Sequence, residues 1–138
     1  MIVVDTNVWS ESVRRSPTPA VVAWLLDHRN QVALTTISIG ELLFGVESMP
    51  PGRRRSALAL EVDRLIAGAA RRIYSYDAAA ARHFALIKTA RRRAGREITK
   101  PEDAMIAAIA AGHECSVATR NVADFEGMGI EIINPWET

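Results

Sequence analysis

Residues 1–7 read MIVVDTN. Three apolar residues, Ile2, Val3 and Val4, run directly into a carboxylate at Asp5, and two small polar residues, Thr6 and Asn7, follow. A short apolar run ending on an acid reads as a buried strand with a charged group at its carboxyl end. The meaning of that acid depends on what the rest of the chain brings to the same place.

Outward from this stretch, short β-like runs alternate with longer helical ones. NVWSESVRR reads as a short helix stopped by Ser16-Pro17-Thr18-Pro19, and Pro19 suits the first turn of the helix AVVAWLLDHR. QVALTT reads as a second strand and SIGELLFGVESM as a helix, with Ser38 as its expected N-cap paired with Glu41 in a capping box. Pro50-Pro51-Gly52 breaks that helix, and RRRSALALEVDRLIAGAA forms the next, with Leu58, Val62, Leu65 and Ile66 on one side. RIYSY is a third strand. DAAAARHFALIKTARRRAG is a helix between an Asp77 N-cap and a Gly95 C-cap, and PEDAMIAAIAAGH is another. CSVAT, a turn or short helix at NVADFEG, and IEII complete the chain. The alternation predicts an α/β domain with a mostly parallel central sheet and right-handed crossovers. The 138 residues suffice for one domain, residues 1–138, and not for two.

Composition excludes several classes. The hydrophobic fraction is 49% and the charged fraction 24%, ordinary for a globular chain. No apolar run approaches the roughly 20 residues of a membrane span, and the N-terminal apolar stretch lacks the basic region of a signal peptide, so a cytoplasmic location is expected. Cys115 is the single cysteine, in an apolar setting that suits a buried thiol, and the histidines form no zinc-binding spacing. The net charge of +1 names no partner. Locally, LIKTARRRAGREITK holds Lys88, Arg91, Arg92, Arg93, Arg96 and Lys100 against one acid, Glu97, and Arg53–Arg55 form a second basic cluster. Such runs serve either as solvated helix faces or as phosphate contacts.

In open parallel sheets, ligands bind beyond the carboxyl ends of the strands. Asp5 ends the first strand, Glu41 is expected in the first turn after the second, Asp103 opens the apolar helix PEDAMIAAIAAGH, and Asp124 lies just past the fourth strand. Each has a local alternative: Asp5 and Asp103 as helix-start residues, Glu41 in the capping box, Asp124 in a turn. Four carboxylates gathered at one sheet end repel one another unless cations compensate, and an all-oxygen set suits Mg²⁺ or Mn²⁺.

The strings VVDTNVW, TTISIGELLFGV, PEDAMIAAIAA and ATRNVADFEGMGIEIINP, in that order, resemble the PIN-domain family, in particular the VapC-type and FitB-like toxin ribonucleases of type II toxin–antitoxin pairs. The resemblance covers essentially the whole chain. It implies a three-layer α/β/α PIN-like fold, Mg²⁺- or Mn²⁺-dependent RNA cleavage leaving a 5′-phosphate and a 3′-hydroxyl, a homodimer, and inhibition by a cognate VapB- or FitA-like antitoxin protein. Asp5, Glu41, Asp103 and Asp124 match the four family acids, with Asp5 and Asp103 expected as direct metal ligands. Thr6 and Asn7 match the polar pair after the first acid, and Thr119 and Asn121 the polar pair of the TxNxxDF motif, expected to orient carboxylates or water; Arg120 falls at a position the motif leaves open.

Lys88, Arg91, Arg92 and Arg93 are the expected RNA contacts, although three consecutive arginines cannot share one helix face. Trp9, Trp24 and Val13 are expected in the core or at a dimer or antitoxin interface; Trp136 has no assigned role. A receiver domain would want paired acids after the first strand, a haloacid-dehalogenase-type phosphatase DxDxT, and a dinucleotide-binding module GxGxxG; none is present. A PIN-like domain that binds without cleaving is the remaining alternative, and it would be expected to lack one or more of the acids.

Overall fold

The computed structural model describes residues 1–138. Five strands, β1 (Ile2–Val4), β2 (Val32–Thr35), β3 (Ile73–Tyr74), β4 (Ser116–Ala118) and β5 (Ile132–Ile133), form one sheet in the order β3-β2-β1-β4-β5. Every pairing is parallel, so the mostly parallel sheet expected from the sequence is parallel throughout. Seven helices surround it: α1 (Thr6–Ser12), α2 (Pro19–Asp27), α3 (Thr36–Glu47), α4 (Arg53–Gly68), α5 (Ala78–Arg93), α6 (Pro101–Gly112) and α7 (Val122–Phe125).

The pleat of β1 divides the core in two. Val3 faces one cluster with Ala80 and Ile87 of α5, Ile106 and Ile109 of α6, and Phe125 of α7. Ile2 and Val4 face the other, with Val8 and Trp9 of α1, Val21 and Trp24 of α2, Leu42 and Val46 of α3, and Val62 of α4. Successive side chains on a strand point to opposite faces, so a strand buried in the middle of three layers must be apolar at every position. This is the α/β/α architecture. Residues Ala104 and Ile106–Ala110 of α6 are all buried, as its nearly uninterrupted apolar sequence requires.

Helix ends follow local chemistry with one correction. Asp77 caps α5 through the Ala80 N–H at 2.9 Å, and Gly95, at φ +72°, lies just beyond its end in the left-handed region. The N-cap of α3 is Thr35 and not Ser38: the Thr35 hydroxyl accepts from the Ser38 N–H at 3.1 Å. The capping box between Ser38 and Glu41 does not form, because the helix starts earlier. Glu41 therefore sits in the second turn, and Ser38 is free for another partner.

Candidate active site

β1 is the centre of the sheet, with β2 on one side and β4 on the other. The chain winds from β1 to β2 in one direction and later returns to β4 in the other, so the carboxyl ends of β1 and β4 flank a topological switch point, where such folds leave a crevice. Val4 pairs with Ala118, which sets Asp5 beside Thr119.

Asp5 is 4% exposed. Its Oδ1 accepts from the Thr6 N–H at 2.7 Å and its Oδ2 from the Thr119 hydroxyl at 2.8 Å. Thr119, fully buried, also accepts from the Asn121 N–H at 3.0 Å and from Asn7 Nδ2 at 3.3 Å. The Asn7 Oδ1 in turn accepts from the Arg120 N–H at 3.3 Å. Thr119 is thus a relay that fixes the Asp5 carboxylate to the loop after β4. On the other side, the Thr6 hydroxyl donates to Glu41 Oε1 at 2.7 Å and lies 2.8 Å from the hydroxyl of Ser38. Thr6 has one proton, and it goes to the carboxylate, so Ser38 donates to Thr6. This is the partner that Ser38 gains by not capping α3.

Asp5, Thr6, Asn7, Glu41, Asp103 and Asn121 line one cleft of about 520 Å³, together with Ser10, Glu11, Arg14, Lys100, Arg120 and Trp136. Asp124 stands next to it, its Oδ2 3.3 Å from the Lys100 ammonium. Burial first, and the charges of Asp5 and Asp124 next, push the Asp103 carboxyl up to about 7. Burial likewise raises Asp5, against its hydrogen bonds to Thr119 and Thr6. Lys100 is raised by Asp124, then by Asp103 and Asp5, so its ammonium sits in the field of the same acids. A second, larger cavity of about 640 Å³ lies between α5 and the β4–β5 connection and shares no residue with the acidic cleft; His83, Cys115 and Met128 are in its wall. Burial raises the Cys115 thiol, which disfavours its thiolate form.

No group of three or more His, Cys, Asp or Glu side chains is closed around a single cation position. The donor set nevertheless fits a hard divalent cation: the converging groups are carboxylate oxygens, and Asp103 meets the charge of Asp5, Asp124 and Glu41 with Lys100 as the opposing cation.

The expected RNA contacts fall differently. Arg91 is 8% exposed, and its guanidinium donates to the carbonyls of Arg96, Asp124 and Glu126 at 2.8, 3.3 and 2.7 Å. It is a structural tie that fixes the backbone at Asp124, which corrects its assignment as a surface phosphate ligand. Arg92 pairs with Glu97 at 3.1 Å, and the Lys88 ammonium lies 5.8 Å from the centre of the Phe84 ring. Neither they nor Arg93 lines the cleft; its cations are Arg14, Lys100 and Arg120. Lys100 closes the basic stretch that was read, but α5 ends before it and the loop turns it toward the acids.

Glu11 was missed. It is buried, accepting from the Thr18 N–H at 2.8 Å, the Thr18 hydroxyl at 2.6 Å and Arg14 at 2.8 Å. These bonds, led by the Thr18 hydroxyl, hold its carboxyl down at about 2. The Pro-flanked loop after α1 hides this pairing, since nothing in the spacing of Glu11 and Thr18 announces it. Trp9 and Trp24 are core residues, which removes Trp9 as an interface contact.

A three-layer parallel fold with acids gathered at the switch point defines the class: an α/β domain with an acidic cleft beyond its strand ends. Residues 2–129 match the family model "PIN domain", and the chain belongs to that family. It is 38% identical over 139 residues to VapC ribonuclease Y4jK of Sinorhizobium fredii and 36% identical over 141 residues to Toxin FitB of Neisseria gonorrhoeae, each alignment covering 99% of both proteins. The crystal structure of FitAcB from Neisseria gonorrhoeae superimposes with a TM-score of 0.92 at 34% identity, covering 100% of both chains.

Proposed function

We propose that this chain is the toxin of a type II toxin–antitoxin pair and hydrolyses RNA phosphodiester bonds with a divalent cation, Mg²⁺ or Mn²⁺. The observation that carries the reading is the crowding of Asp5, Glu41, Asp103 and Asp124 around one cleft, with Asp103 pushed up to about 7 by burial and by its acidic neighbours. Its similarity to VapC ribonuclease Y4jK and Toxin FitB supports the same reading.

Asp5 and Asp103 are the residues that would hold the cation, with Glu41 and Asp124 completing the acidic wall. When bound there, a divalent cation lowers the pKa of water and offsets charge on the phosphate. The chain supplies the rest. Thr119 and the Thr6 N–H hold the Asp5 carboxylate in one orientation, and Thr6, supplied by Ser38, does the same for Glu41. Asn7 and the Asn121 N–H steady Thr119. Arg14, Lys100 and Arg120 border the acids with positive charge that attracts phosphate into a cleft that would otherwise repel it. The exposed Lys88, Arg92 and Arg93 extend positive charge along α5, outside the cleft.

For control, Val13 lines a groove of about 600 Å³ with Met49, Leu58 and the arginines 14, 15, 53 and 54. That combination fits an apolar segment carrying acidic residues, and it is our proposed seat for the antitoxin. A homodimer, as in the family resemblance, is part of the same reading.

The decisive experiment incubates RNA with the purified chain and with Asp5→Asn, with Mg²⁺, with Mn²⁺ and with chelator. Cleavage by the wild type that needs the cation and disappears in Asp5→Asn supports the proposal. Equal cleavage by both proteins, or none by the wild type under any cation, overturns it.

A further inference from the structure

Of the twelve residues lining the acidic cleft, one is hydrophobic, Trp136. It is also the one that carries a cation on its face: the Arg120 guanidinium lies 5.1 Å from the indole centre. Both are positioned by backbone, which makes the pair a built feature. The Arg120 N–H donates to Asn7, and Asn7 is bonded to the Thr119 that orients Asp5. The Trp136 N–H donates to Asn134 Oδ1 at 3.0 Å, and the indole is half-buried against the core cluster beneath α1–α4. Neither residue is used by the cation site.

We propose that Arg120 and Trp136 form a clamp for one unpaired nucleotide next to the scissile phosphate: the indole supports the guanidinium that lies over it, the base stacks on the outer face of that guanidinium, and the guanidinium edge takes the adjoining phosphate. This rests on the RNA-hydrolase reading of the cleft. Four features favour an RNA strand as occupant. The cleft presents cations at its border and acids at its floor, which matches a phosphodiester approaching a cation site. A base has two flat faces, and base–aromatic stacking needs no particular base, while arginine planes stack similarly. In a duplex the bases are already stacked on their neighbours and unavailable, so the clamp selects single-stranded or looped RNA. Finally, Trp9 and Trp24 are buried, at 6% and 5% exposure, and Trp136 is the tryptophan that lines the cleft.

The test uses the Asp5→Asn chain, which the hydrolase reading expects to bind RNA without cutting it, with a short mixed-sequence RNA oligonucleotide and the same oligonucleotide annealed to its complement. Trp136→Leu, in that background, keeps apolar volume against the core and removes the aromatic face; Trp136→Phe keeps a smaller ring. The expected result is that Trp136→Leu weakens single-strand binding about tenfold, equivalent to about 1.4 kcal/mol, that Trp136→Phe restores most of it, and that duplex binding changes little. Arg120→Gln lowers the slope of log affinity against log salt by about one. Single-stranded RNA should also quench the tryptophan fluorescence of the parent more than that of Trp136→Phe. Unchanged single-strand affinity in Trp136→Leu overturns the clamp, as does an equal loss for duplex. These outcomes are separate from failure of the hydrolase reading, which shows as a wild-type chain that leaves RNA intact with either cation.

Discussion

Replacing Asp103 by Asn should make the cation-free protein more stable while removing its activity, and the gain should depend on pH in a defined direction. Burial and the charges of Asp5, Asp124 and Glu41 raise the Asp103 carboxyl from its ordinary 3.8 to about 7, against the opposing pull of Lys100. A raised carboxyl binds its proton more tightly in the folded state than in the unfolded one. Its cost to stability is absent below about pH 4, grows as pH rises, and is complete above about pH 7. At about 1.4 kcal/mol per pH unit the unscreened cost is about 4 kcal/mol. Asp103 is only half-buried, and water screens its repulsions, which leaves about 1–2 kcal/mol. From this the variant forfeits a favourable interaction with the N-terminus of α6, about 0.5 kcal/mol. The net expectation is a gain of about 1 kcal/mol at pH 8, a rise in Tm of about 3–5 °C for a domain of this size, shrinking to nothing or reversing at pH 4. The assay is thermal unfolding in chelator at both pH values, repeated with Mg²⁺, which should stabilise the wild type far more than the variant. A variant less stable than wild type at pH 8, or a gain equal at both pH values, refutes the electrostatic account of this site.

Three further outcomes follow from other contacts. Glu11→Ala should cost about 2–3 kcal/mol, because two Thr18 donors lose a buried charged acceptor. The wild-type carboxyl is held at about 2, below its ordinary 4.5, so its contribution is full above pH 4.5 and fades as pH falls toward 2; the variant's deficit in urea unfolding should shrink over that window. Thr119→Val should leave the fold intact within about 2 kcal/mol yet lower the cleavage rate at least tenfold, since Asp5 loses the hydroxyl that orients it; wild-type rates would refute the relay. Arg91→Gln should lower Tm by several degrees and leave the salt dependence of RNA binding unchanged, because its guanidinium is spent on three backbone carbonyls; a reduced salt slope would restore it as a phosphate ligand.

What could be read without coordinates was set by period and position. The apolar run before Asp5 and the nearly all-apolar α6 behind Asp103 each admit one placement in a layered sheet, so the fold and the gathering of the acids were legible. The expectation that Glu41 belonged to the first turn of α3 failed because Thr35 was a competing cap three residues before Ser38, and local spacing does not rank two hydroxyl caps. Arg91 failed for a different reason. Its neighbours Arg92 and Arg93 are exposed, and composition cannot tell which arginine of a run turns inward to meet backbone 33 residues away. The Glu11–Thr18 pairing and the Arg120–Trp136 stack depend on loop geometry, which no periodicity encodes.

The placement of Asp5 on the middle strand has a consequence for control. β1 is flanked by two strands and covered on both faces, and such central strands are the last to open in native-state exchange. The strand that carries Asp5 therefore holds its place for as long as the domain is folded at all. An occupant seated in or beside the cleft can switch such a site off and leave the strand that carries Asp5 in place, so its departure requires no refolding of that strand.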